Sequence, residues 1–207
     1  LADRERILGA DHPDTLSTRN NLARVYESAG RLDDATLLLE RTLADRERIL
    51  GADHPDTLST RNNLAAAYES AGRLATAMAL HERTVVDSER ILGPDHPSTL
   101  TSRNNLAAAY TSAGRLDEAL LLFERTVADR ERTLGPDHPH TILSLSNLAY
   151  VNSSAGRLDE AITLQERVIA AQERVLGANH PQTLSSRKGL DWFRDQDKTQ
   201  PRRPDGS

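Results

Sequence analysis

One phrase returns along this chain at a fixed interval, and that interval limits the folds open to it. Leu-Ala-Asp-Arg-Glu-Arg-Ile-Leu-Gly at 1–9 recurs unchanged at 43–51 and, with substitutions, at 85–93, 127–135 and 169–177. His-Pro pairs stand at 12–13, 54–55, 96–97, 138–139 and 180–181, so the period is 42 residues without insertion or deletion. Residues 1–32 and 43–74 differ only at Arg24/Ala66 and Val25/Ala67, which points to a recent duplication. A repeat of this length marks an array in which each copy buries its apolar face on the next.

Within one period the apolar residues follow helical spacing. Leu16, Leu22, Ala23 and Tyr26 form one stripe between Asp14 and Ser28, here called helix A. Leu32, Ala35, Leu39, Leu43 and Leu50 form a second, helix B. The breaker between them is Ser28-Ala29-Gly30-Arg31, where Gly30 suits the left-handed conformation that ends a helix. The second breaker is Gly51-Ala52-Asp53-His54-Pro55, and Pro55 fits the first position of the next helix A. This reading gives a half unit at 1–9 and full units at about 13–51, 55–93, 97–135 and 139–177. A terminal helix at about 182–194 and a disordered polar tail at 195–207 complete it.

Composition agrees with stacked amphipathic helices. Only 3% of residues are aromatic, while Leu and Ala supply most of the apolar surface. The net charge of -5 is well mixed, and acids interrupt the basic runs, as in Asp45-Arg46-Glu47-Arg48. A nucleic-acid binder would show a clustered basic face, so no nucleic-acid partner is expected. No apolar run reaches membrane-spanning length. The chain has no cysteine, which excludes disulfides and thiolate chemistry and leaves the redox compartment open. Lys188 and Lys198 are the only lysines, a bias that points to a high-GC bacterial genome.

These residues resemble the tetratricopeptide repeat in its 42-residue, kinesin-light-chain-like variety. The resemblance covers roughly residues 1–194. It rests on Asn21-Leu22-Ala23 followed by Tyr26, Asn63-Leu64-Ala65 by Tyr68, and Asn105-Leu106-Ala107 by Tyr110. Gly30 with Ala35, Gly72 with Ala77, Gly114 with Ala119 and Gly156 with Ala161 match the family's turn glycine and helix-B alanine, and the phrase Leu-Gly-x-x-His-Pro-x-Thr is typical of the variety. Departures are Arg19, Arg61, Arg103 and Arg187 where the family often carries an aromatic, and Asn152 at the Tyr position, with Tyr150 two residues earlier on another face. In the last helix the Asn positions are Lys188 and Gly189, so that helix reads as a cap carrying Trp192 and Phe193.

The resemblance implies an all-α, right-handed superhelical solenoid of antiparallel helix pairs, whose helix-A residues line a concave groove that holds extended peptides. By position, Asn21, Asn63, Asn105 and Asn147 make one ladder, and Asn20, Asn62 and Asn104 a second, with Ser146 in the fourth place. Arg24 and Tyr150 join them as groove candidates. A carboxamide both donates and accepts, so it can pair with a peptide unit whatever the side chain. The competing reading is that one Asn of each pair simply satisfies backbone between neighbouring helices.

The five His-Pro histidines lie on successive repeats, too far apart to share a metal, and read as caps or loop-packing residues. His81 and His140 read as surface residues, and Arg41/Asp45, Arg83/Asp87 and Arg125/Asp129 as pairs on a solvated helix-B face. No phosphate-cradling loop, nucleophile elbow or His-Glu-x-x-His is present. The expected function is therefore a protein- or peptide-binding scaffold without catalysis, cofactor or metal. The resemblance extends this to a cytoplasmic adaptor or sensor portion of a larger bacterial signalling protein. The alternative is a self-associating repeat array. Leu1 lies inside a repeat, and Leu1, Ile7 and Leu8 match positions expected to be buried in later copies, so weak self-association through this end is expected.

Overall fold

The structure, a computed structural model, describes residues 1–199, with side chains to Lys198. Among them are ten helices and no strand: α1 (Ala2–Leu8), α2 (Pro13–Ser28), α3 (Leu32–Leu50), α4 (Pro55–Ser70), α5 (Leu74–Leu92), α6 (Pro97–Ser112), α7 (Leu116–Leu134), α8 (Pro139–Ser154), α9 (Leu158–Leu176) and α10 (Pro181–Thr199). Even-numbered helices are helix A and odd-numbered ones helix B. The protein is an all-α solenoid of sequential helix pairs, divided into a first body, Leu1–Ala113, and a second that begins at Gly114.

The repeated breakers set the helix limits. Each helix A starts at proline, and the histidine before it caps the helix. His54 Nδ1 accepts the Asp56 N–H at 3.1 Å, and His12, His96, His138 and His180 do the same for the residue two places on. The capping role expected of these histidines is thus what the structure shows. Helix A ends at Gly30 with φ 73°, which lets the Arg31 N–H reach the Tyr26 carbonyl at 2.8 Å. Helix B ends at Gly51 with φ 90° and ψ 159°, a conformation open in practice only to glycine. The buried Thr57 hydroxyl then donates to the Gly51 carbonyl at 2.9 Å, tying one helix B to the next helix A.

In the first body each helix from α2 to α6 packs on its neighbours in sequence, and α4 also touches α2 and α6. Ala23, Ala35, Leu39, Leu64, Ala67, Tyr68 and Ala77 form one core across α2–α5. In the second body α7, α8, α9 and α10 pack in order, and Phe193 closes on Ala149 and Ala161. Trp192, paired with Phe193 in the sequence reading as a cap, is half exposed.

Two features differ from the sequence reading. α10 continues to Thr199, five residues past the expected end, and Lys198 pairs with Asp195 at 2.9 Å inside the stretch assigned to a tail. Residues 200–207 of that tail lie outside the described residues. At the other end α1 buries nothing, although Leu1 matches the buried Val85 and Val127. Ile7 and Leu8 do not correspond to core positions, because Ile49, Val175 and Leu176 are exposed and Leu50, Leu92 and Leu134 only half-buried.

Candidate binding face

The two asparagines of each helix A face different surroundings. Asn20 is buried and its Nδ2 donates to Thr60 Oγ1 on α4 at 3.1 Å. Asn62 Nδ2 donates to Ser102 Oγ on α6 at 2.6 Å, and Asn104 is buried at the matching place. Asn20 and Asn62 therefore tie one helix A to the next. The second asparagines point outward. Asn21 is exposed and Asn63 and Asn105 are half-buried, and none of the three has a hydrogen-bond partner among the described residues.

Residues three and four apart on a helix share a face. Arg24 is exposed one turn beyond Asn21, and Ala66 and Ala108 hold its place on α4 and α6. In the second body Asn147 is half-buried on α8, flanked on the same face by Leu143 and Tyr150, which are 50% and 58% exposed. Tyr150 thus joins Asn147 on the surface, away from the inward direction of Tyr68.

A row of arginines that sequence reasoning left unexplained fixes this face from beneath. Arg61 is 1% exposed, and its guanidinium donates to Asp87 of its own helix B at 2.7 Å and to Glu47 of the preceding helix B at 3.2 Å. Arg19 repeats this with Asp45 at 2.7 Å and Glu5 at 3.0 Å, and buried Arg103 takes Glu89 at 2.7 Å. On α8 the position is Leu145, buried as an ordinary core residue, and Glu131 turns to Arg167 instead. The expectation that Asp45 and Asp87 belong to a solvated face is corrected here. Asp87 lies 3.8 Å from Arg83 but 2.7 Å from Arg61, because a buried guanidinium draws the nearest carboxylates to offset its desolvation.

Helix B buries cations too. Arg46 donates to the Asp56 carbonyl at 2.7 Å and to Thr60 Oγ1 at 2.8 Å, and Arg130 does the same with the His140 carbonyl and Ser144. Burial pushes Arg130 down to about 10, which leaves it charged at neutral pH. His81 is a second correction. It is not a surface residue but lies 1% exposed where other copies carry Leu39 and Phe123, and burial pushes it down to about 4. Neither ring nitrogen has a hydrogen-bond partner. His140 is exposed, as expected. Among the described residues no three His, Asp or Glu side chains are grouped to hold a metal, and no helix is long and apolar enough to cross a membrane.

Four consecutive segments, residues 15–56, 57–98, 99–140 and 141–182, match the tetratricopeptide repeat. The chain belongs to the tetratricopeptide repeat family. Each match opens at the buried threonine after His-Pro-x and closes after the next His-Pro, so the tetratricopeptide frame contains one helix A and one helix B. Among solved structures, the "kinesin light chain nearly identical TPR-like repeats" of Podosopora anserina are 34% identical. The likeness covers 91% of this chain and 90% of that one at a TM-score of 0.80. A single-residue variant of that protein matches at 0.81 over 91% and 89%. BtubC (BKLC) from P. vanneervenii, at 18% identity, shares the fold over 99% of this chain and 91% of its own at 0.75. No curated protein sequence matches this chain. The tetratricopeptide repeats here are therefore of the kinesin-light-chain-like variety, in a family of protein-interaction scaffolds.

Proposed function

We propose that this protein is a scaffold that holds an extended peptide segment of a partner protein along its helix-A face, and that it acts by binding rather than by catalysis. The observation that carries this reading is the row Asn21, Asn63 and Asn105. The three carboxamides recur at one position on α2, α4 and α6 with no partner of their own among the described residues, while their neighbours Asn20 and Asn62 are occupied between helices. Leaving paired amide groups unused at a regular spacing suits a ligand that brings its own backbone donors and acceptors.

Packed helix axes lie ~8–10 Å apart, and an extended peptide advances ~3.3 Å per residue. Successive asparagines would then meet about every third residue of the ligand. The reading keeps Asn21, Asn63 and Asn105 as ligand contacts in the first body, with Arg24 beside them, and assigns Asn20, Asn62 and Asn104 to structure. In the second body Asn147 and Tyr150 remain candidates by themselves.

The test is a pull-down with the intact chain, identification of the captured partner, and titration of its binding segment. Asn63→Ala with Asn105→Ala should weaken that segment by ~1–3 kcal/mol, the loss of a few net hydrogen bonds, with an unchanged melting curve. Asn62→Ala should do the reverse, lowering the melting temperature and sparing affinity per folded molecule. Loss of stability without loss of affinity in the double variant would sink the asparagine row.

A further inference from the structure

In the first body a helix-A tyrosine reaches back to the preceding helix B. Tyr68 donates its hydroxyl to Glu40 Oε1 at 2.6 Å, and Tyr110 donates to Glu82 Oε1 at 2.9 Å. The Arg73 guanidinium lies 4.2 Å from the centre of the Tyr68 ring, and Arg31 lies 4.3 Å from that of Tyr26. Tyr68 packs in one cluster with Leu64 and Leu80. At the same position on α10 stands Arg194, which takes Glu166 at 2.8 Å.

On α8 this position is Asn152, and the pattern breaks. Its shorter side chain turns to its own helix, Nδ2 donating to the Leu148 carbonyl at 2.8 Å. Glu124, the counterpart of Glu40, is left without a donor among the described residues, and the guanidinium of Arg157, the counterpart of Arg73, without a partner. Between them opens a cleft of about 590 Å³ that Leu148 and Leu164 also line. These leucines are the counterparts of the two that pack with Tyr68. The volume falls within the ~300–1,000 Å³ usual for ligand sites.

We propose that this cleft takes a tyrosine side chain of a partner peptide, its hydroxyl donating to Glu124 and its ring lying under Arg157 against Leu148 and Leu164. Asn152 leaves vacant what Tyr68 fills in an otherwise matching frame of glutamate, arginine and two leucines. Arg194 shows that an arginine can serve the same glutamate, but position 199, where Arg73 and Arg157 have their counterpart, is threonine there. At α8 Arg157 attracts an aromatic face. Asp159 and Glu160, which stand where Ala75 and Thr76 lie beside Tyr68, also line the cleft and make an arginine the competing occupant that the test has to exclude. The slot lies wholly in the second body and does not depend on the asparagine row of the first.

Two-dimensional amide NMR of the full chain tests this, with p-cresol and the pentapeptides acetyl-Gly-Gly-X-Gly-Gly-amide (X Tyr, Phe, Arg or Ala) as probes. Saturable shifts are expected around Leu148, Asn152 and Leu164 with p-cresol and with the Tyr peptide. The Tyr peptide should bind about two- to tenfold tighter than the Phe peptide, the worth of one hydrogen bond, with Arg weaker still and Ala silent. Asn152→Tyr, which fills the slot from within, should abolish the shifts and raise the melting temperature. Glu124→Ala should bring the Tyr and Phe peptides level, which decides the matter even if Asn152→Tyr folds poorly. Asn63→Ala with Asn105→Ala should leave the p-cresol titration unchanged, so this slot and the asparagine row fail separately. No saturable shift, retained binding in Asn152→Tyr, or an Arg peptide as tight as the Tyr peptide overturns the proposal. So does p-cresol binding with the Tyr peptide silent, which would make the slot one for a free phenol.

Discussion

Arg61 shows how much a single side chain can hold in a core built of small residues. Removing it strands two carboxylates, and breaking a buried pair costs ~3–5 kcal/mol when both partners are fully enclosed. Glu47 and Asp87 keep some solvent, so Arg61→Ala should cost about 3 kcal/mol in urea unfolding. Arg90→Ala, which removes exposed pairs with Asp53 and Asp87, should leave the urea midpoint almost unchanged. His81 brings a pH dependence. Its folded value of about 4 lies below the ordinary 6.5, so between these pH values the unfolded chain takes a proton that the folded chain refuses. Stability is therefore full above about pH 6.5 and falls toward pH 4, by at most ~3 kcal/mol at 1.36 kcal/mol per pH unit. His81→Leu, copying Leu39, should flatten that part of the urea midpoint between pH 7.5 and 5. The sequence reading takes His81 for a surface residue and leaves Arg61 unexplained, although the period holds a signal for the arginine: Arg61 stands 14 residues after Glu47 and 26 before Asp87, offsets that recur around Arg19. Which asparagine of each pair faces outward was not legible, because adjacent residues straddle the edge of a helical face and only the packing of the next helix A decides.

The helices themselves were largely readable, since each breaker has a physical reason. Helix B at 32–50 follows from Gly30 and Gly51, and helix A from proline behind its capping histidine. Two variants weigh these devices. His54→Ala should cost ~1 kcal/mol, a typical N-cap loss. Gly51→Ala should cost ~1–3 kcal/mol, because a side chain is strained at φ 90° although nothing crowds it there. The end of α10 was not readable, because Gln196, Asp197 and Lys198 extend the helix with polar residues and leave no apolar period to follow. The short α1 buries no residue, and its ties to α2 include exposed bonds from Arg4 to the Asp14 carbonyl and Thr18. Its amides should exchange fastest among the helices by hydrogen–deuterium mass spectrometry. Full protection at residues 5–8 in a dilute sample would contradict this.

Across the whole chain, far-ultraviolet circular dichroism should report helix without appreciable strand. A chelator should leave the melting temperature unchanged, since the repeated histidines use Nδ1 as caps and are not gathered around one point. The arginine bridges carry a further consequence, for how such a chain changes over generations. Arg61 takes one acid from the repeat before it and one from its own, and Arg19 does the same, so the two seams are chemically alike. Unequal recombination between stretches as alike as 1–32 and 43–74 would add or delete 42 codons in frame and return an arginine to the same two acids. Copy number can then drift without damaging a junction, while novelty gathers where no seam depends on it. Arg24 against Ala66, on the exposed helix-A face, is such a divergence already begun.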